Sequence, residues 1–235
     1  MEQRMKLSIV IPVYNEEASL EEIVDRVVVV DMGEISKEII ISNDGSRDGT
    51  AEVIKKLQIK YPQLITYSSP TNLGKGAAVR LGIAISSGEI IIIQDADLEL
   101  NPTEYPRLLA PLVNHQAEVV YGSRFLRSKV KLNRTSRLAN RFLTGLTNLL
   151  FGSHLSDMET AYKMFAREAL SDISLRCVRF DFEPEITANF LKKGLRIMEI
   201  PIAYNPRTVQ AGKKISWVDG FEAIYTLIRC RISQR

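Results

Sequence analysis

Cysteine is nearly absent from this chain: only Cys177 and Cys230 occur, far apart, in 235 residues. They form no C-x-x-C or other metal-ligand spacing. That excludes a disulfide scaffold and a cysteine-held zinc, and it fits a reducing compartment. Histidine is as scarce. His115 and His154 lack ligand spacing and read as surface or loop residues. No apolar run approaches the roughly 18 residues that span a bilayer. The N-terminal "MEQRMKLSIVIPVYNE" has a short apolar run broken by Pro12, so it reads as a first strand and not as a signal peptide. No G-x-G-x-x-G follows that strand, which disfavours a Rossmann dinucleotide enzyme. One absence is local: between Glu118 and Asp157 there is no acidic residue. Arg124, Arg127, Lys129, Lys131, Arg134, Arg137 and Arg141 all fall in that stretch. Such a block suits a phosphate-rich partner or an anionic membrane surface. A solvated loop and helix face would read the same way.

What is present is an ordinary globular balance, 45% hydrophobic and 25% charged with net charge +3. Apolar, β-branched runs at 7–11, 39–42 and 90–93, with a weaker one at 64–67, predict strands. Helical segments at 16–30, 48–60 and 75–87 separate them. This alternation predicts an α/β fold with a mostly parallel central sheet and helices on both faces. Runs without polar alternation fit parallel strands buried on both faces. Pro102 suits the first turn of a helix at 102–113, and a strand follows at 118–121. Beyond Gly122 come a basic linker, an amphipathic helix at 134–152, and strands at 161–166 and 196–204 flanking a helix at 183–193. A last helix at 216–232 sets Trp217, Phe221, Ile224 and Ile228 on one face.

In an open parallel sheet, ligands sit beyond the carboxyl ends of the strands. Strand one ends in "PVYNE", strand two in "SNDGS" and the fourth in "QDADLE". Asp44, Asp95 and Asp97 therefore converge at one edge. Carboxylates so close repel each other unless a cation neutralises them. Oxygen-only ligands favour Mg2+ or Mn2+ over zinc, with water and substrate phosphates filling the rest of the shell.

"SIVIPVYNE", "SNDGSRDGT", "NLGKGAAVRLGI", "QDADLELNP", "YGSRF", "DMETAYKMF" and "FEPEI" occur in this order. Together they resemble the inverting family-2 glycosyltransferases of the GT-A fold, most of all the dolichyl- and polyprenyl-phosphate mannosyltransferases and their bacterial relatives. The resemblance runs from about residue 6 to "PIAYNPRTVQAGKKISW". It implies a single catalytic domain over 1–235. Residues 1–122 would be the nucleotide-sugar half, and 123–235 the acceptor half with amphipathic helices.

The resemblance also implies roles. Pro12, Tyr14 and Glu16 would line the nucleoside pocket, and Asp44 would meet base or ribose. Asn43 stands here where the family often has a second aspartate. Asp95, Ala96 and Asp97 would serve the sugar nucleotide, with Asp95 and Asp97 on the metal. Glu99 would be a further metal ligand, where the mannosyltransferases often carry glutamine. Gly74 and Gly76 would let the backbone pass close to the donor, beside Lys75. Arg124, Arg134, Ser136 and Arg207 would seat the acceptor phosphate, with Lys213 and Lys214 closing over it after Gly212. Asp97, Arg124 and Arg207 would carry the catalysis. Asp157 would be the base for a hydroxyl acceptor, a helix cap, or the orienter of an arginine.

The expected activity is transfer of a hexose, mannose from GDP-mannose, to a polyprenyl phosphate at the cytoplasmic membrane face, with peripheral membrane contact and no nucleic acid. The competing readings are a UDP-glucose-dependent polyprenyl-phosphate glucosyltransferase, transfer to a hydroxyl with Asp157 as base, and a non-catalytic nucleotide-sugar-binding module.

Overall fold

A computed structural model describes residues 5–127, 134–206 and 217–233. The strands are β1 (Lys6–Val13), β2 (Ser36–Asn43), β3 (Ile65–Ser68), β4 (Ile90–Ile93), β5 (Val119–Ser123), β6 (Lys163–Ala166) and β7 (Ile197–Pro201). The helices are α1 (Leu20–Val29), α2 (Thr50–Lys60), α3 (Lys75–Ile85), α4 (Tyr105–Val113), α5 (Arg134–Phe151), α6 (Phe182–Lys192) and α7 (Trp217–Ile232). A 3-10 turn at Pro102–Glu104 leads into α4, with the Asn101 side chain capping Thr103 N.

One seven-stranded sheet runs in the order β3-β2-β1-β4-β6-β5-β7. Strand β6 is antiparallel to both its neighbours, and the other pairings are parallel. The apolar runs are explained by what covers each face. Ile9, Ile11, Ile39, Ile41, Ile90 and Ile92 pack under α1, α2 and α4. Val10, Ile40, Ile91 and Ile93 point the other way, against α3 and α6. Successive strand side chains alternate faces, so a strand covered on both sides needs no polar alternation. A third cluster joins Leu143 of α5, Ala188 of α6 and Ala223 and Leu227 of α7 beside the sheet.

On α7, Phe221 and Ile228 share a face that stays largely outside, while Ile224 packs half-buried against the third cluster. Phe221 is 64% exposed and Ile228 42%. The buried side is Ala223, Thr226, Leu227 and Cys230. Small residues let α7 lie close to α5 and α6, which leaves the larger apolar side chains outside. Both cysteines are free and buried, and both histidines are exposed.

Candidate active site

The sheet order places a topological switch point between β1 and β4, because the chain leaves β1 for β2 on one side and returns to β4 on the other. Crevices for ligands open at such points. Pro12 lies at the edge of this one. Gln94 N donates to Val10 O, so Val10 faces β4, and Pro12, two residues on, faces the same way. Strand pairing with β4 has ended by then, at Val10–Ile93. The missing proline N–H therefore costs no ladder bond. Tyr14 and Glu16 follow at the strand's carboxyl end. Asn15 takes a left-handed φ of 52°. Its N–H donates to Ser46 Oγ, and its Oδ1 accepts from Arg47 N. Glu16 N donates to Thr50 Oγ1. The loops after β1 and β2 are thus latched to each other.

Asp44, at the end of β2, is buried. Its carboxylate accepts from Leu73 N at 2.8 Å, Gly74 N at 2.7 Å and Asn72 Nδ2 at 2.8 Å. In this structure Asp44 organises the 72–74 turn, because three donors already meet its oxygens. The glycines after it pack closely against another part of the chain. Gly74 has φ 112°, and a Cβ there would lie 2.4 Å from Val178 O. Gly76 N and Ala77 N donate to Arg179 O and Val178 O. The backbone thus passes close to the 177–179 segment at both glycines.

Lys75, the first residue of α3, sends its ammonium between two carboxylates, Asp95 at 2.9 Å and Glu183 of α6 at 2.8 Å. Burial pulls this lysine down, but Asp95 and Glu183 outweigh that and hold it charged well above its usual range. Ala96 is buried between Asp95 and Asp97. Asp97 Oδ1 accepts from Glu99 N. Glu99 accepts from the Tyr204 hydroxyl at 2.7 Å.

The expected metal trio Asp95, Asp97 and Glu99 is not gathered as such. Among the described residues, no three His, Cys, Asp or Glu side chains come together to hold an ion. Asp95 turns to Lys75 and Glu99 to Tyr204. What the strand end offers is one or two carboxylates. That suits a Mg2+ or Mn2+ ion whose other ligands are diphosphate oxygens and water.

On the acceptor side, Arg124 follows β5 and is held by Asp157. The fully buried Asp157 carboxylate accepts from Arg124 N, Nε and Nη2 at 2.9, 2.8 and 2.7 Å. Glu199 of β7 accepts from Ser156 N and Asp157 N, which fixes the loop that carries the aspartate. The Arg124 guanidinium also lies 5.3 Å from the Tyr204 ring centroid. Of the other acceptor residues, Arg134 is exposed at the start of α5, two residues before the half-buried Ser136. Arg207, Lys213 and Lys214 lie outside the described residues, as do Gly212, Lys129 and Lys131.

Sequence reasoning quoted "DMETAYKMF" and "FEPEI" yet gave no role to Glu159, Lys163 or Glu183. The signal was there: Lys163 and Glu199 are charged residues inside apolar strands. Lys163 is fully buried, donates to Met158 O at 2.7 Å and lies 3.7 Å from the Tyr121 ring centroid. Burial pushes the Lys163 ammonium down and the nearby Glu159 carboxyl up. A cavity of about 1590 Å³ is lined by Ser42, Asn43, Asp44, Tyr67 and Leu73 and runs along α3 to Arg167 and Arg196. Its lining includes neither Asp95 nor Arg124, so it is not where the charges meet.

Comparison with known proteins matches residues 8–174 to the family model described as Glycosyl transferase family 2. Dolichyl-phosphate beta-glucosyltransferase ALG5C of Trichomonas vaginalis is 32% identical over 213 residues, covering 83% of this chain and 63% of that protein. Undecaprenyl-phosphate 4-deoxy-4-formamido-L-arabinose transferase of Salmonella choleraesuis is 33% identical over 233 residues, covering 96% and 67%. The chain thus spans about two thirds of the length of these relatives. Glucosyl-3-phosphoglycerate synthase of Mycobacterium tuberculosis, solved in complex with Mn2+, UDP and glucosyl-3-phosphoglycerate, superposes with TM-score 0.75 at 23% identity. That overlap covers 98% of this chain and 81% of the other, so the two share the GT-A fold. With the strand-end carboxylates, the switch-point crevice and the family match in agreement, the chain belongs to glycosyl transferase family 2.

Proposed function

We propose that this chain transfers a sugar from a nucleotide-diphospho-sugar to a polyprenyl phosphate, with inversion at the anomeric carbon. The observation that carries the choice of acceptor is the commitment of Asp157 to Arg124. A hydroxyl acceptor needs a base to remove its proton. A carboxylate that is fully buried and saturated by an arginine is poorly placed to be one. A phosphate acceptor is already anionic and needs a cationic seat instead. A planar guanidinium fixed at the edge of the crevice supplies that seat. The names of the two relatives, a dolichyl-phosphate and an undecaprenyl-phosphate transferase, support the same acceptor class.

In the proposed step, a phosphate oxygen of the lipid attacks C1 of the sugar. The bond from C1 to the diphosphate breaks, and the nucleoside diphosphate leaves with its electron pair. Arg124 holds two like-charged reactants together, lowering the cost of their encounter. Asp95 and Asp97 would hold the divalent cation, which when bound neutralises charge on the departing diphosphate. Lys75 holds Asp95 in place through their ion pair.

Mannose from GDP-mannose was the expected donor. The relatives named above transfer glucose or a formamidoarabinose, so UDP-glucose is the favoured donor here. For the lipid, α5 and α7 expose Leu138, Phe142, Leu149, Phe221, Tyr225 and Ile232. With the arginines of α5 beside them, these apolar side chains suit contact with a membrane interface, where the acceptor resides. No helix among the described residues is long and apolar enough to cross a membrane.

The test is a donor-by-acceptor screen, with and without Mn2+, of UDP-glucose and GDP-mannose against short polyprenyl phosphates. A glucosyl-phospholipid from UDP-glucose is the expected product. Binding of nucleotide sugars with no glycolipid from any pair would overturn the reading in favour of a non-catalytic binding module.

A further inference from the structure

Glu159 stands apart from the carboxylates near it. Its Oε1 is buried and has no hydrogen-bond partner among the described residues. The backbone around it is firmly held. Met158 N donates to Thr144 Oγ1, and Thr160 Oγ1 donates to Gly122 O. Lys163, the nearby cation, donates to Met158 O rather than to Glu159. Each neighbouring carboxylate has an answer: Asp157 has Arg124, and Glu183 has Lys75. A buried acceptor left without a donor is costly and rare in native structures.

Position says what the missing donor is. Two residues before Glu159, Asp157 holds Arg124, the proposed acceptor seat. Glu183, of the Lys75–Asp95 group on the donor side, acts on the Glu159 charge together with Lys163. The part of the substrates that must lie between a departing diphosphate and an attacking phosphate is the sugar itself. A phosphate would be repelled by a carboxylate among carboxylates, whereas a sugar hydroxyl brings a proton to donate.

We propose that Glu159 is a specificity-determining residue whose carboxylate accepts a hydrogen bond from a hydroxyl of the transferred sugar. This rests on the sugar-transfer reading above. It adds a contact to the sugar, which neither the strand-end carboxylates nor the arginine provides. A site built to meet a hydroxyl rejects an analogue that lacks it, because the polar group is then buried unpaired.

The test uses UDP, UDP-glucose and its monodeoxy-glucose analogues on the wild-type chain and on Glu159→Ala, reading Kd by calorimetry and kcat/KM where turnover occurs. The wild type should lose roughly ten- to a hundredfold for one deoxy position. Glu159→Ala should be indifferent to that position while keeping the other penalties and the affinity for UDP. Should the alanine variant fail to fold, the isosteric Glu159→Gln serves in its place, with the penalty at that one position reduced. Identical deoxy penalties in wild type and variant overturn the proposal. So does a uniform loss of turnover with every donor at unchanged binding, which would make Glu159 a proton-transfer group. A wild-type chain that binds no nucleotide sugar overturns the sugar-transfer reading as well, which separates the two failures.

Discussion

Asp157 receives three hydrogen bonds from Arg124, one from the backbone and two from the guanidinium. The carboxylate is wholly buried, and the arginine side chain is 11% exposed. A pair with this burial is most informative when one partner is removed, because the other charge is then left without compensation. Asp157→Asn should cost about 3 kcal/mol of stability. Thermal unfolding should shift down by roughly 6–12 °C. Transfer to a lipid phosphate should fall with it, since Arg124 loses its orientation. An unchanged melting temperature with activity lost by orders of magnitude would instead mark Asp157 as a base.

Lys75 separates Asp95 from Glu183, and Lys75→Met leaves two carboxylates facing each other across a buried gap. Like charges so close raise one another's pKa. A carboxyl whose folded pKa is raised binds more protons in the folded state, so stability falls as pH rises through that window. The variant should be least stable near pH 8 and recover toward pH 5. The wild type, with its lysine held charged across that range, should show no such recovery. Melting temperature against pH for both proteins checks this.

The two halves of the site differed in how far the sequence revealed them. Asp44, Asp95 and Asp97 were placed correctly at the carboxyl ends of β2 and β4, because apolar runs mark buried strands and strand ends mark the crevice. The seven strands and seven helices among the described residues fell at or near the expected segments for the same reason. What one sequence does not carry is which way a charged side chain turns once there. Asp44 spends itself on the 72–74 turn, Glu99 on Tyr204 and Asp157 on Arg124, and each of those partners is fixed by tertiary contact. The antiparallel direction of β6 was also hidden, since a short apolar strand reads alike in either direction. Glu159 was passed over because a buried charge in a loop looks like a solvated one until packing is known, whereas Lys163, a charge within an apolar strand, did carry a signal.

Glu38 ties β2 to the loop ahead of β4 by accepting from Ser8 Oγ, Ser87 N, Ser87 Oγ and Gly88 N. Burial pushes its pKa up, but these bonds outweigh it and leave the carboxyl below its usual range. A depressed carboxyl contributes stability above its unfolded pKa, about 4.3, that is lost as pH falls through the folded value. The difference in melting temperature between wild type and Glu38→Gln should be full at pH 7 and should shrink below about pH 4. A difference that grows on acidification would contradict this.

Phe221, Tyr225, Ile228 and Ile232 recur along α7 at three- and four-residue spacing and stay exposed. If this stripe meets lipid, Phe221→Asp with Ile228→Asp should abolish co-sedimentation with vesicles rich in phosphatidylglycerol. Melting temperature should be unchanged, because neither side chain is buried. Wild type that ignores vesicles but elutes as a dimer, with the double variant a monomer, would assign the stripe to a second copy of the chain.

The most direct test of the acceptor is a comparison of a polyprenyl phosphate with the corresponding polyprenol, offered with labelled UDP-glucose and Mn2+. The account predicts labelled lipid from the phosphate alone, and loss of that product in Arg124→Ala. Label appearing on the alcohol, at a rate matching the phosphate, would contradict it.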